Sequence, residues 1–334
     1  MTEKIQLAHG GGGLLSSQLI EKEIVSRFGD GPLRNLPDAA ELPEIKGKVI
    51  FSTDSYVVNP IEFAGGNIGN LAVHGTVNDI SVAGGKPLWL SLALILEEGL
   101  PLSVLRRILD TIKQSIDECN VRIVTGDTKV VSKGQCDGIY INTAGVGEAF
   151  ESFQLDKTKI IPGDCVLVNG TIGDHGMAVL AAREGIDIEN GPESDTASVH
   201  KLVEIASEYG SEVRFMRDPT RGGVAAVLNE IASGTKIGFQ LESDKIPLSS
   251  GTQSISEILG IDILSVACEG RMLLICSKEV ANDILKEWKQ IPEGRGATVI
   301  GEAIDNPERV LISTLTGGSR LVDVPQGELL PRIC

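Results

Sequence analysis

Aromatic residues make up only 4% of this 334-residue chain, so its core has to be packed from Val, Ile, Leu and Ala. Its six cysteines, Cys119, Cys136, Cys165, Cys268, Cys276 and Cys334, show no CxxC or HxxxH spacing, so neither a zinc site nor a disulfide framework is signalled. Long hydrophobic runs are missing too. The most apolar stretch, 88–96, is too short to span a bilayer, and the start has no basic-then-apolar leader, so a cytoplasmic protein is expected. Basic clusters are absent. With 30 Lys and Arg against 46 Asp and Glu, the net charge of -16 excludes nucleic acid and anionic membrane as partners, and any anionic ligand needs local help from backbone N–H groups or a metal. Glycine is plentiful at 39 residues, which turns attention to loops.

The length suggests two domains. In the first half, alternation and apolar runs predict strands at 48–58, 87–96, 122–131 and 138–147, and a buried, small-residue helix at 67–83. The clearest helix is 101–118, with Leu102, Leu105, Ile108, Leu109, Ile112 and Ile116 at helical spacing and Pro101 in its first turn. The second half repeats the mixture. Strands are predicted at 165–170, 236–241, 271–276 and 310–313, and helices after Gly176 and at 196–209, 222–232 and 279–288. This gives two α+β domains, 1–156 and 157–322, and an irregular flexible tail, 323–334, punctuated by Pro325, Gly327 and Pro331. Nine extended residues from Gln326 onward would reach about 30 Å.

Several motifs carry candidate chemistry. His9-Gly10-Gly11-Gly12-Gly13 precedes a helix starting near Ser16, where consecutive glycines can turn several N–H groups toward one anion; a loose N-terminal segment is the plain alternative. Neither GxxxxGK[ST] nor GxSxG accompanies it, which excludes a P-loop and an esterase elbow. Asp54, Asp79 and Asp127 each sit within or beside an apolar element, where an unpaired carboxylate is costly. Singly each reads as a cap or turn; together they suit Mg²⁺ held against ATP phosphates. On a strand, Asp127 and Lys129 share a face, placing a metal carboxylate beside a phosphate cation, or else a surface ion pair. Asp218 and Thr220 precede a helix that either could cap, and His175, in Gly173-Asp174-His175-Gly176, is structural by default. Glu269 interrupts two apolar runs, where burial would raise its pKa toward that of a working base unless a structural partner holds it.

Cys334 differs from the other five cysteines, which lie among apolar neighbours and read as core. It is not placed for prenylation, and an exposed cytosolic thiol on a mobile arm suits a carrier of a covalent group.

These residues resemble the HypE family of hydrogenase maturation factors, within the superfamily of aminoimidazole ribonucleotide synthetase, selenophosphate synthetase and thiamine monophosphate kinase. The likeness runs along nearly the whole chain: the HGGGG start, Phe51 to Tyr56, Gly65 to Gly69, Ile95 to Pro101, Val124 to Val131, Gly173 to Gly176, Asp218 to Gly223, and the ending Pro331-Arg332-Ile333-Cys334. It implies a homodimer pairing through the N-terminal sheets, with ATP between the glycine-rich segment and the acidic loops. It also implies that Cys334 receives a carbamoyl group from the carbamoyltransferase HypF. The group is then dehydrated with ATP to a thiocyanate, and the cyanide passes to iron held by HypC and HypD for the [NiFe]-hydrogenase centre. The candidate catalytic residues are Cys334, Glu269, Lys129 and His175. Those for the nucleotide are His9, Gly10, Gly11, Gly12, Gly13, Asp54, Asn67, Asn78, Asp127, Thr128, Lys129, Asp218 and Arg221; those for Mg²⁺ are Asp54, Asp79 and Asp127. Selenophosphate synthesis lacks its N-terminal reactive cysteine here, since no Cys precedes Cys119, and a small-molecule kinase has no use for Cys334. A non-enzymatic, ATP-gated adaptor is the remaining alternative.

Overall fold

The computed structural model describes residues 3–186, 188–306, 308–314, 317–324, 330 and 332–334. Of the tail expected at 323–334, residues 325–329 and 331 lie outside the described residues.

The first half contains β1 (Val49–Tyr56), a small hairpin of β2 (Glu62–Phe63) and β3 (Gly66–Asn67), then β4 (Gly85–Glu97), β5 (Arg122–Val131) and β6 (Ile139–Ala149). The long strands form one sheet in the order β1-β6-β4-β5, in which β4 and β5 are parallel. Its inner face packs on the helices Ile68–Val82 and Leu102–Glu118 around Leu71, Leu90, Leu94, Ile108 and Ile112. All six apolar residues expected on one face of Leu102–Glu118 are buried. Val124 of β5 has no partner on β4: Leu90 opposes Ile123, and Ser91 opposes Thr125.

The helix Ile68–Val82 is buried on nearly every side because the sheet covers one flank and the second domain the other. Its Gly75 lies so close to Tyr56 of β1 that an added Cβ would run into the tyrosine ring and hydroxyl. Gly75→Ala is therefore expected to destabilise the protein by about 1–3 kcal/mol, read as a lower denaturant midpoint at constant m.

The second domain is built on β7 (Cys165–Val168), β8 (Val213–Arg217), β9 (Gly238–Leu241), β10 (Leu273–Cys276), β11 (Thr298–Ile304), β12 (Val310–Ser313) and β13 (Ser319–Leu321). Their order is β13-β12-β9-β11-β7-β10-β8, with apolar clusters on both faces. β13 lies beyond the last strand expected from the sequence, 310–313, and pairs antiparallel with β12. Three paired residues satisfy the ladder without any visible periodicity.

Candidate active site

The close approach at Gly75 brings Asp79 of the helix to the inner face of β1. There Ser52 Oγ donates to Asp79 Oδ2 at 2.7 Å. From the other domain, β8 ends at Arg217 and delivers Asp218, while the turn before β10 delivers Glu269. Thr53, Asp54, Asp79, Arg217, Asp218, Arg221, Glu269 and Cys334 line one cavity of about 300 Å³. The helix Gly223–Ala232 is entered through Gly222 without a side-chain cap, so neither Asp218 nor Thr220 serves as one.

The turn carrying Glu269 is held from three sides. Asp195 Oδ1 accepts from Glu269 N at 3.0 Å, and Arg271 Nε lies 3.4 Å from Asp195 Oδ2. Asn78 Nδ2 donates to the carbonyls of Ala197 and Glu269 at 3.0 and 3.1 Å, and its Oδ1 accepts from Val199 N at 2.8 Å. Asn78, expected at the nucleotide, is thus engaged at both ends in tying the two domains together. Asn67 is also engaged within the fold. It caps the helix Ile68–Val82 by accepting from Gly69 N and donating to Thr111 Oγ1.

Crowding of carboxylates out of water sets the electrostatics. Burial, then Asp79, pushes Asp218 up to about 7. Burial followed by Asp218, Asp195, Asp54 and Asp79 holds Glu269 well above the usual carboxylate range, and its Oε1 has no hydrogen-bond partner. Burial also raises Asp79, against the bond from Ser52. Burial and then Glu269 drive the Cys334 thiol up to about 12, which the hydrogen bond from Arg221 only partly offsets. Hard oxygen donors that repel one another and include an unpartnered buried oxygen fit a divalent cation such as Mg²⁺. Among the described residues, though, no three His, Cys, Asp or Glu gather closely enough to enclose a metal alone. That spacing suits a cation shared with substrate phosphates.

The described part of the tail is docked rather than extended. Ile333 is buried, and Cys334 packs against the first core. His175 Nε2 lies 2.9 Å from the Ile333 carbonyl, which can only accept, so Nε2 carries the proton and Nδ1 accepts from Ser194 Oγ at 2.8 Å. His175, expected as a weaker catalytic group, therefore grips the backbone beside Cys334. Burial lowers it to about 4, with the Ile333 bond opposing. Unfolded, it would bind its proton near 6.5, so between the two values the unfolded state holds more protons and this contribution to stability is lost as pH falls. His175→Gln cannot titrate and is expected to lose less stability than the parent between pH 6.5 and 4.5, as read from urea midpoints.

The remaining predicted residues form a second group. Asp127 and Lys129 share the outer face of β5, as alternation required, with Lys129 Nζ 3.4 Å from Asp127 Oδ2 and both side chains exposed. The glycine-rich segment adjoins the same strand, with Gly10 close against Val130. His9 is buried and accepts from Gln6 N through Nδ1. β1 and β5 are opposite edges of the sheet, so Asp127 stands three strand spacings, about 14 Å, from Asp54. Within one chain, then, the trio Asp54, Asp79 and Asp127 is not brought together, and Asp218 rather than Asp127 joins the first two. Thr128 and Lys129 stand apart with Asp127.

The comparisons with known proteins agree with this architecture. Models described as AIR synthase related protein match residues 37–149 (N-terminal domain) and 162–313 (C-terminal domain). Carbamoyl dehydratase HypE of Rhizobium leguminosarum bv. viciae is 44% identical over 333 residues, covering 99% of this chain and 95% of that protein. The chain belongs to the HypE family. Among solved HypE structures, one in complex with ATP is 38% identical with a TM-score of 0.93, covering 98% of this chain and 99% of that one. The HypE chain of a HypE–HypF complex is 42% identical with a TM-score of 0.81, covering 92% and 99%. The family resemblance and the two-domain α+β fold read from the sequence are both borne out.

Proposed function

We propose that this HypE-family chain dehydrates an S-carbamoyl group on its own Cys334 to a thiocyanate, with ATP converted to ADP and phosphate. The observation that carries the reading is the presence of Cys334 in the same cavity as Asp54, Asp79, Asp218, Arg221 and Glu269. The carbamoyl oxygen is a poor leaving group. Attack by that oxygen on the γ-phosphorus, with loss of one of the two nitrogen protons, forms an imidoyl phosphate and releases ADP; loss of the remaining nitrogen proton then forms C≡N and expels phosphate. Glu269 is the group to take that proton, since a carboxyl raised by burial is a strong base once ionised. Arg221 and Arg217 line the cavity where phosphate charge would develop. Asp54, Asp79 and Asp218 would hold Mg²⁺, which supplies charge neutralisation at the phosphates. Burial of the tail excludes water from the activated intermediate.

The second group of residues is best used in a homodimer. The outer face of the N-terminal sheet presents Phe51, Trp89, Ala93, Ile95, Ala144 and Val146 at least partly uncovered. Pairing two such faces about a twofold axis would set the β5 edge of one copy, with His9–Gly13, Asp127, Thr128 and Lys129, near the β1 edge of the other. ATP would then lie between the glycine-rich segment and the acidic loops. The assignment of 1–156 to nucleotide binding and dimerisation, 157–322 to the second domain and 323–334 to the acceptor tail belongs to this reading. So do a cytoplasmic location, HypF as carbamoyl donor, and HypC with HypD as cyanide acceptor for the [NiFe]-hydrogenase iron.

Incubation with HypF, carbamoyl phosphate, ATP and Mg²⁺, followed by mass spectrometry of the C-terminal peptide, tests the reaction. The peptide should gain a carbamoyl group and then become the cyano form. A peptide that never gains either group overturns it.

A further inference from the structure

The contacts that dock the tail reach its backbone and Arg332, while the cavity receives Cys334. Arg183, on the helix Asp174–Glu184, donates through Nη2 to the Arg332 carbonyl at 2.8 Å and through Nε to the Asn59 carbonyl at 2.9 Å. Asn59 N donates to the same Arg332 carbonyl at 3.3 Å. His175, on the same helix, donates to the next carbonyl along, that of Ile333. Arg332 is left-handed, with φ +57°, and its guanidinium pairs with Asp137, whose carboxylate also accepts from Tyr140 Oη.

We propose that Arg183 and His175 are positioning residues of a cargo-blind clamp: they hold the tail by its main-chain carbonyls, so the same docked pose admits Cys334 as thiol, carbamoyl thioester or thiocyanate. These carbonyls, four or more bonds from the sulfur, keep their acceptor strength whatever the sulfur carries. Recognition of the chemical state of Cys334 then falls to the cavity, where Arg221 and Glu269 stand. Asp137 fixes the turn through Arg332. This rests on the proposed acceptor role of Cys334, although the clamp itself is measurable without it.

The test is the rate at which iodoacetamide alkylates Cys334 in the full-length protein, followed by mass spectrometry. The other five cysteines are buried, so this thiol reports tail opening. Arg183→Ala is expected to raise the rate roughly tenfold or more, the worth of a charged hydrogen bond, with Asp137→Asn raising it less and Arg183→Lys restoring part of the protection. At saturating ATP, phosphate release from the carbamoylated Arg183→Ala protein should fall only in proportion to the docked fraction, by less than the rise in alkylation, with the KM for ATP unchanged, as a docking defect requires and a general loss of structure does not. Should Arg183→Ala not fold, Asp137→Asn still decides, because its pairing to the tail is made at the surface. Parental alkylation rates in the folded variants overturn the clamp even if carbamoyl dehydration proceeds. Faster alkylation in a protein that never accepts a carbamoyl group supports the clamp and overturns the proposed function instead.

Discussion

Replacing Cys334 by alanine is expected to lower carbamoyl-dependent phosphate release by roughly a thousandfold or more, to background, because the atom that carries the substrate is gone. The fold should survive. Cys334 is only partly buried and packs at the margin of the first core, so thermal unfolding and nucleotide binding should stay near parental values. The measurement is phosphate release in the presence of HypF and carbamoyl phosphate, and retention of most of the activity would show that the thiol is not the acceptor. The docked thiol, held near 12 by burial and Glu269, is almost entirely protonated at neutral pH. On the proposed function, loading with a carbamoyl group would belong to the undocked tail, and dehydration to the docked one.

The second large effect is expected at Glu269. Glu269→Gln keeps the shape of the side chain and removes the base, so conversion of carbamoyl to cyano should slow about 10²–10⁴-fold. Carbamoylation itself should continue, and mass spectrometry should find the C-terminal peptide accumulating in the carbamoyl form. Unimpeded appearance of the cyano form would rule Glu269 out as the base. The same substitution has a stability signature of known sign. A buried carboxyl whose folded pKa is raised binds its proton more tightly folded than unfolded, so its contribution to stability falls as pH rises through that raised value. Glu269→Gln should therefore be the more stable protein on the alkaline side, read from urea midpoints at pH 6 and 9.

Much of this arrangement is legible in the sequence, for identifiable reasons. Six apolar residues at helical spacing define the helix Leu102–Glu118, and an acidic residue inside an apolar element is conspicuous at Asp54, Asp79 and Glu269 because water-free carboxylates need a purpose. Local motifs do not reveal how many strands separate them. Asp54 and Asp127 look alike in sequence, yet β6 and β4 lie between their strands, and only the cavity shared with Asp54 and Asp79 shows that Asp218 is the nearer partner. Asn67 and Asn78 look equally suited to a ligand until their amides are seen capping a helix and tying two domains. Arg183, inside a helix with no motif around it, gives no signal at all; its significance arises from a tail 149 positions away. β11 is hidden for another reason, because the register shift between Val299 and Gly301 breaks the alternation by which a strand is read.

The unpaired Val124 makes β5 a strand whose chemistry depends on residue count as much as on residue identity. Strict alternation from the inward Ile123 would turn Asp127 and Lys129 inward too, against Leu94 and its neighbours. The extra residue shifts the downstream frame by one and returns both to the outer face. A chain one residue shorter at this point would need no bulge and would keep Asp127 and Lys129 outward beside Ala93 and Ile95, whereas one residue longer would keep that facing only by sliding both two places along β4, to Ile95 and Glu97. Length variants at position 124 should therefore divide into tolerated deletions and inactivating insertions, an asymmetry that no point substitution there would reveal.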